Sequence, residues 1–121
     1  MAACDGRGEA AMLIIDMTHP LDRLYAMIVS RRDADPASSY TARLLAAGPH
    51  KCAKKLGEEA VEAALAAVDG TKLDLVNESA DLLYHLLVVW AARGVPPEEV
   101  YDALQGREGT SGLDEKAKRA T

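Results

Sequence analysis

Between Leu82 and Ala92 the chain runs LLYHLLVVWAA, a stretch without a single formal charge. Wound as a helix, it has no polar face, and a helix of that kind must be covered on all sides. Strands are disfavoured elsewhere, because Ala and Leu dominate the sequence and β-branched residues are sparse. Phe is absent and aromatic residues make up only 4%, so the core has to be built from Leu, Val, Ala and Met. A hydrophobic fraction of 49% is far above that of a disordered chain. With only two long helices available to cover Leu82–Ala92, a second subunit is expected to complete the burial. Cover by the first and last helices of the same chain is the alternative.

Helical periodicity and its punctuation divide the chain. Apolar residues recur at Leu21, Leu24, Tyr25, Ile28 and Val29 after Pro20, which suits a first turn. DADPAS (33–38) breaks that pattern, and Ser39 can cap a short helix over Tyr40–Ala47, ended by Gly48 and Pro49. A long helix is expected from about His50 to Val68, a turn at Asp69-Gly70, and a second long helix from about Lys72 to Arg93. Gly94 stops it, Pro96-Pro97 opens a helix to about Arg107, and 114–119 reads as a frayed turn. The expectation is an all-α helical bundle built around a central antiparallel hairpin and completed by dimerisation. Residues 1–17, Gly-, Ala- and charge-rich, read as a flexible leader to a domain spanning 18–121.

Charge and cysteine usage narrow the function. Fourteen Lys+Arg against 19 Asp+Glu give a net charge of −5, and no basic stripe is available for nucleic acid. The two cysteines, Cys4 and Cys52, form no CxxC, which fits a reducing cytoplasm rather than a disulfide scaffold or a thiolate metal site. No apolar run reaches the length of a membrane span. The short run Met12–Ile15 follows Asp5 and Glu9, where a signal peptide would carry positive charge.

Carboxylates mark the two long helices: Glu58-Glu59-x-x-Glu62 before the turn, Glu78-x-x-Asp81 after it. Residues three apart share a helix face. Positions 62 and 78, like 59 and 81, are symmetric about Gly70, so antiparallel helices set Glu62 level with Glu78 and Glu59 level with Asp81. Four carboxylates on one seam raise each other's pKa unless a cation compensates. Between Leu56 and Ala92 the sole basic residue is Lys72, at the far end of the hairpin. Mg²⁺, or Mn²⁺ in its place, prefers carboxylate and water ligands. Iron is disfavoured by the lack of Glu-x-x-His pairs on facing helices. The plainer reading is a solvated acidic helix face. Arg43, Lys51, Lys54 and Lys55 lie upstream, and Lys51 and Lys55 stand one turn before Glu58. Cations beside a metal suit a polyphosphate; Lys54 is better read as an ordinary surface lysine. His85, one turn after Asp81, either orients a carboxylate or is a core histidine. Tyr84 is either a substrate contact or a core residue. Cys52 is read as core rather than nucleophile.

Three strings carry a family resemblance: Ser39-Tyr40-Thr41, Lys55-Leu56-Gly57-Glu58-Glu59-Ala60-Val61-Glu62, and Asn77-Glu78-Ser79-Ala80-Asp81-Leu82-Leu83-Tyr84-His85. They resemble the phosphoribosyl-ATP pyrophosphohydrolases, over about Leu21 to Arg119. The ExxE…ExxD frame alone marks the wider all-α nucleotide pyrophosphohydrolase superfamily, and KxGEE and DLLYH narrow it. The resemblance implies a hydrolase that uses Mg²⁺ to cleave the α–β phosphoanhydride of phosphoribosyl-ATP. The products would be phosphoribosyl-AMP and pyrophosphate, as in the second step of histidine biosynthesis. It implies metal ligands at Glu59, Glu62, Glu78 and Asp81, with Glu58 as a further ligand, a base or a residue that orients a ligand. Lys55 would contact phosphate, with Lys51, Arg43 and Tyr84 as further candidates for substrate binding. Glu58, Glu59 and Glu62 are the candidate catalytic carboxylates. Two alternatives remain: a nucleoside triphosphate pyrophosphohydrolase of the same fold, and a helical dimerisation module without catalysis.

Overall fold

A computed structural model describes residues 19–108 and 112–120, all of whose regular elements are helices. The leader 1–17 lies outside them. The helices are α1 (Pro20–Ser30), α2 (Tyr40–Ala47), α3 (Pro49–Asp69), α4 (Lys72–Arg93), α5 (Pro97–Gln105) and α6 (Gly112–Ala120).

Local chemistry sets these limits. The His19 side chain accepts from the Leu21 N–H ahead of Pro20, and Ser39 accepts from the Ala42 N–H to start α2. Gly48 adopts φ 94° between α2 and α3, a conformation that a Cβ disfavours, so two helices can abut with one residue between them. Thr71 and Asp74 form a reciprocal capping box: each side chain accepts from the other's backbone N–H, at 3.1 and 3.0 Å. Gly94 closes α4 in the left-handed region at φ 71°.

α3 and α4, joined only by Gly70 and Thr71, make the most extensive helix–helix contact among the described residues. α1 packs on α4, α2 fits against both long helices, and α5 rests on α1. The core sits at the end of α3–α4 away from the turn. Ile28, Leu44, Cys52, Leu87, Val88 and Ala91 form one buried cluster there. Two polar ties close it: an Arg32 guanidinium nitrogen donates to the Ala91 carbonyl at 2.8 Å, and the Tyr101 hydroxyl donates to Asp22 at 3.0 Å.

Within Leu82–Ala92 the chain buries His85, Leu87, Val88 and Ala91. It leaves Leu83 exposed and the remaining residues half-buried. Toward the turn the cover thins further. Val61, Leu65 and Val68 of α3 and Leu73, Val76 and Leu83 of α4 are all exposed.

Candidate functional site

α3 carries Glu58, Glu59 and Glu62, and α4 carries Glu78 and Asp81. The register about Gly70 brings Glu59 to Asp81, and one carboxylate oxygen each of Glu59, Glu78 and Asp81 lie within 4.8 Å of one another. Glu59 and Glu78 are half-buried, and Asp81 is exposed. Glu62 stands apart from that trio. It is exposed and opens with Glu78, Asp69 and Asp74 onto a cleft of about 280 Å³ that Leu65 and Ala66 also line. Of the four carboxylates expected on one seam, three therefore converge, and the fourth flanks them on the turn side.

Glu78 is the electrostatically crowded member of the trio. The Glu78 carboxyl is pushed above the usual carboxylate range, first by partial desolvation and then by Asp81, Glu62, Glu59 and Asp74. Each of these four carboxylates adds to the push. An all-oxygen donor set with excess negative charge suits a hard divalent cation of the Mg²⁺ type. No His or Cys joins the cluster to favour a softer metal.

The lysines divide by position. Lys55 Nζ lies 3.1 Å from Glu58, and this contact holds the Glu58 carboxyl below its ordinary range, with smaller effects from Lys54 and Lys51. The same contact, foremost, raises the Lys55 pKa. Lys51 is exposed one turn earlier. Arg43 is also exposed, and its Nε donates to the Pro36 carbonyl at 3.2 Å, which ties it to the loop before α2.

Aromatic residues form the flank opposite the turn. The Tyr84 hydroxyl pairs with Thr41 Oγ1, linking α4 to α2, and burial pushes its pKa up. The His85 ring lies 4.9 Å from that of Tyr84, edge to face. Burial lowers the His85 pKa, with Lys55 acting the same way and the charges of Glu59, Asp81 and Glu58 opposing it. Its Nδ1 is buried without a hydrogen-bond partner. Cys52 belongs to the core, fully buried, with its thiol donating to the Leu44 carbonyl at 3.2 Å. Tyr40 completes the flank with a ring stacked toward Tyr84 and edge-on to His85. Sequence reasoning assigned Tyr40 no role; its place in the Ser39-Tyr40-Thr41 string was the available signal.

Residues 21–108 match the family model described as Phosphoribosyl-ATP pyrophosphohydrolase. Proteins named "Phosphoribosyl-ATP pyrophosphatase" are similar over most of this chain. The one from Granulibacter bethesdensis is 58% identical over 100 residues, which is 83% of this chain and 62% of that protein, less than two thirds of its length. One from Gluconobacter oxydans is 54% identical, across 82% of this chain and 74% of its own. One from Cereibacter sphaeroides is 59% identical, across 82% of this chain and 96% of its own.

Proposed function

The chain belongs to the phosphoribosyl-ATP pyrophosphohydrolase family, and from that premise we propose that it hydrolyses phosphoribosyl-ATP to phosphoribosyl-AMP and pyrophosphate, with Mg²⁺ as cofactor. The observation that carries the reading is the meeting of Glu59, Glu78 and Asp81 within 4.8 Å, one helical turn from the Lys55–Glu58 pair. These three carboxylates would hold the divalent ion, and Glu62, level with Glu78, would complete the set. A divalent ion held by these residues would supply Lewis acidity toward phosphoryl oxygens and make water a better nucleophile.

The chain's own groups supply the rest. Lys55 is held toward the carboxylates by Glu58 and offers its ammonium to the polyphosphate, with Lys51 one turn further out. Glu58, whose pKa Lys55 lowers, fixes that lysine beside the carboxylates. The proton of the attacking water would pass to one of the candidate catalytic carboxylates, Glu58, Glu59 or Glu62. Tyr84, whose hydroxyl is engaged by Thr41, acts through its ring. Arg43 would need to leave the Pro36 carbonyl to reach substrate.

The assembly belongs to the same proposal: a central antiparallel α3–α4 hairpin whose exposed apolar residues are covered by a second copy. No helix among the described residues is long and apolar enough to cross a membrane, and a cytoplasmic biosynthetic enzyme accords with that.

The test is pyrophosphate release from phosphoribosyl-ATP, measured against a panel of deoxynucleoside triphosphates in Mg²⁺ and in Mn²⁺. Preference for the panel would favour the general triphosphate hydrolase of this fold. Absence of turnover, with no metal-dependent rise in Tm, would favour a non-catalytic module. Glu59→Gln keeps the helix and removes one ligand charge. It is expected to lower kcat/KM by at least about a hundredfold, above the loss typical of residues that merely orient a ligand. A variant with near-normal turnover at saturating Mg²⁺ removes Glu59 from the site.

A further inference from the structure

An exposed tyrosine is ordinary, but the Tyr40 ring is both exposed and fixed. It is 47% accessible at the first position of α2. The Tyr84 ring lies 21° from parallel with centroids 6.5 Å apart, and His85 presents an edge at 85° and 6.1 Å. Tyr84 is in turn pinned by Thr41, the residue next to Tyr40. Holding an aromatic surface in one orientation while leaving it in water has no evident packing benefit, because burial is what an aromatic side chain ordinarily gains from such neighbours.

The surroundings indicate what such a surface meets. On α4, Tyr84 and His85 follow Asp81 by about one helical turn, and on α3 Lys55 precedes Glu59 by one turn. Rings, ammonium and carboxylate trio are therefore adjacent, and the three chemistries match a nucleobase, a phosphate chain and its metal. A buried polar atom without a partner, His85 Nδ1, occurs in the same cluster, where a bound ligand or water would remove the cost of leaving it unpaired.

We infer that Tyr40, backed by Tyr84 and His85, is the platform on which the purine base of the substrate stacks. The inference rests on the proposed nucleotide-hydrolysing reading. It goes beyond it in assigning base recognition to a residue outside the carboxylate frame. Any base offers a π-face to such a platform, so stacking supplies affinity, while the cluster of charges sets the position of the phosphates.

The experiment uses the full chain with Tyr40→Phe, Tyr40→Leu and Tyr40→Ala. KM and kcat for phosphoribosyl-ATP are measured together with equilibrium titrations of AMP and of ribose 5-phosphate. The Phe variant is expected to match the parent. The Leu and Ala variants should raise KM by about tenfold or more, the scale of a base–aromatic stack, with kcat and Tm nearly unchanged. They should also lose the preference for AMP over ribose 5-phosphate. A parent KM and AMP affinity in Tyr40→Ala would overturn the inference, as would a parent protein that does not prefer AMP. A fall in kcat and Tm at constant KM would mark the ring as structural, and also overturns it. Loss of AMP preference in a chain that does not cleave phosphoribosyl-ATP would refute the proposed reaction and leave the platform standing.

Discussion

Tyr101 shows how a single contact at the edge of the core makes stability depend on pH. Its hydroxyl donates to Asp22 across α5 and α1, and burial, followed by this bond and the Asp22 charge, pushes its pKa up to about 12. A raised folded-state pKa means that the native protein favours the neutral phenol. The contribution is therefore fully present below the unfolded value of about 10 and is lost as pH rises through about 12. Tyr101→Phe keeps the ring and deletes the donor. It is expected to cost about 1 kcal/mol at neutral pH, with the gap between variant and parent narrowing as urea titrations move from pH 8 to 11. A gap that stays constant over that range would separate the bond from the titration. At this scale the sequence is legible where backbone register decides the outcome and opaque where side-chain conformation does. Glu59 meets Asp81 because helical spacing and the turn dictate it. The displacement of Glu62 from the trio is a matter of where one exposed side chain points, which spacing does not determine. Tyr40 escaped notice because the rings that fix it come from α4, more than forty residues away in sequence.

Elements were more readable than residues, because this chain punctuates its helices with groups whose effect is local. Gly48, Gly70 and Gly94, with prolines at 20, 49 and 97, mark nearly every boundary seen, and α2 falls over Tyr40–Ala47 as its Ser39 cap predicts. Two limits differ from the sequence reading. α5 ends at Gln105 rather than near Arg107, and the C-terminal turn extends to a helix over Gly112–Ala120. α4 offers a test of how much its two ends contribute. Thr71→Ala removes one half of the capping box, at a cost of about 1 kcal/mol. Gly94→Ala forces a Cβ into a left-handed conformation, with open space around it but about 1–2 kcal/mol of backbone strain. The two positions bracket the whole helix, so the double variant should equal the sum of the singles within about 0.5 kcal/mol. Urea midpoints at constant m-value check this. A large departure from additivity would mean that α4 does not fold as a unit with the rest.

The whole molecule is where the apolar surface has to be explained. Along α3 and α4, Val61, Leu65, Val68, Leu73, Val76 and Leu83 remain exposed. Singly exposed apolar residues need no explanation, but a run of them on two adjoining helices is the surface that the proposed second copy would cover. Among the described residues the core, at the end of α3–α4 away from the turn, is drawn from Leu, Ile, Val, Ala and one Cys. Covering this surface with a second copy is expected to make folding and association one equilibrium, so the urea midpoint should rise with protein concentration. Val76→Lys separates the cases. In a lone chain Val76 is 62% accessible, and a lysine there should change stability by no more than about 0.5 kcal/mol. In the assembly the same lysine would meet apolar side chains, shift sedimentation toward the single chain and remove the concentration dependence. A parent protein that sediments as a 12.9 kDa species at micromolar concentration, with a midpoint independent of dilution, would show that the exposed face serves something other than a second copy.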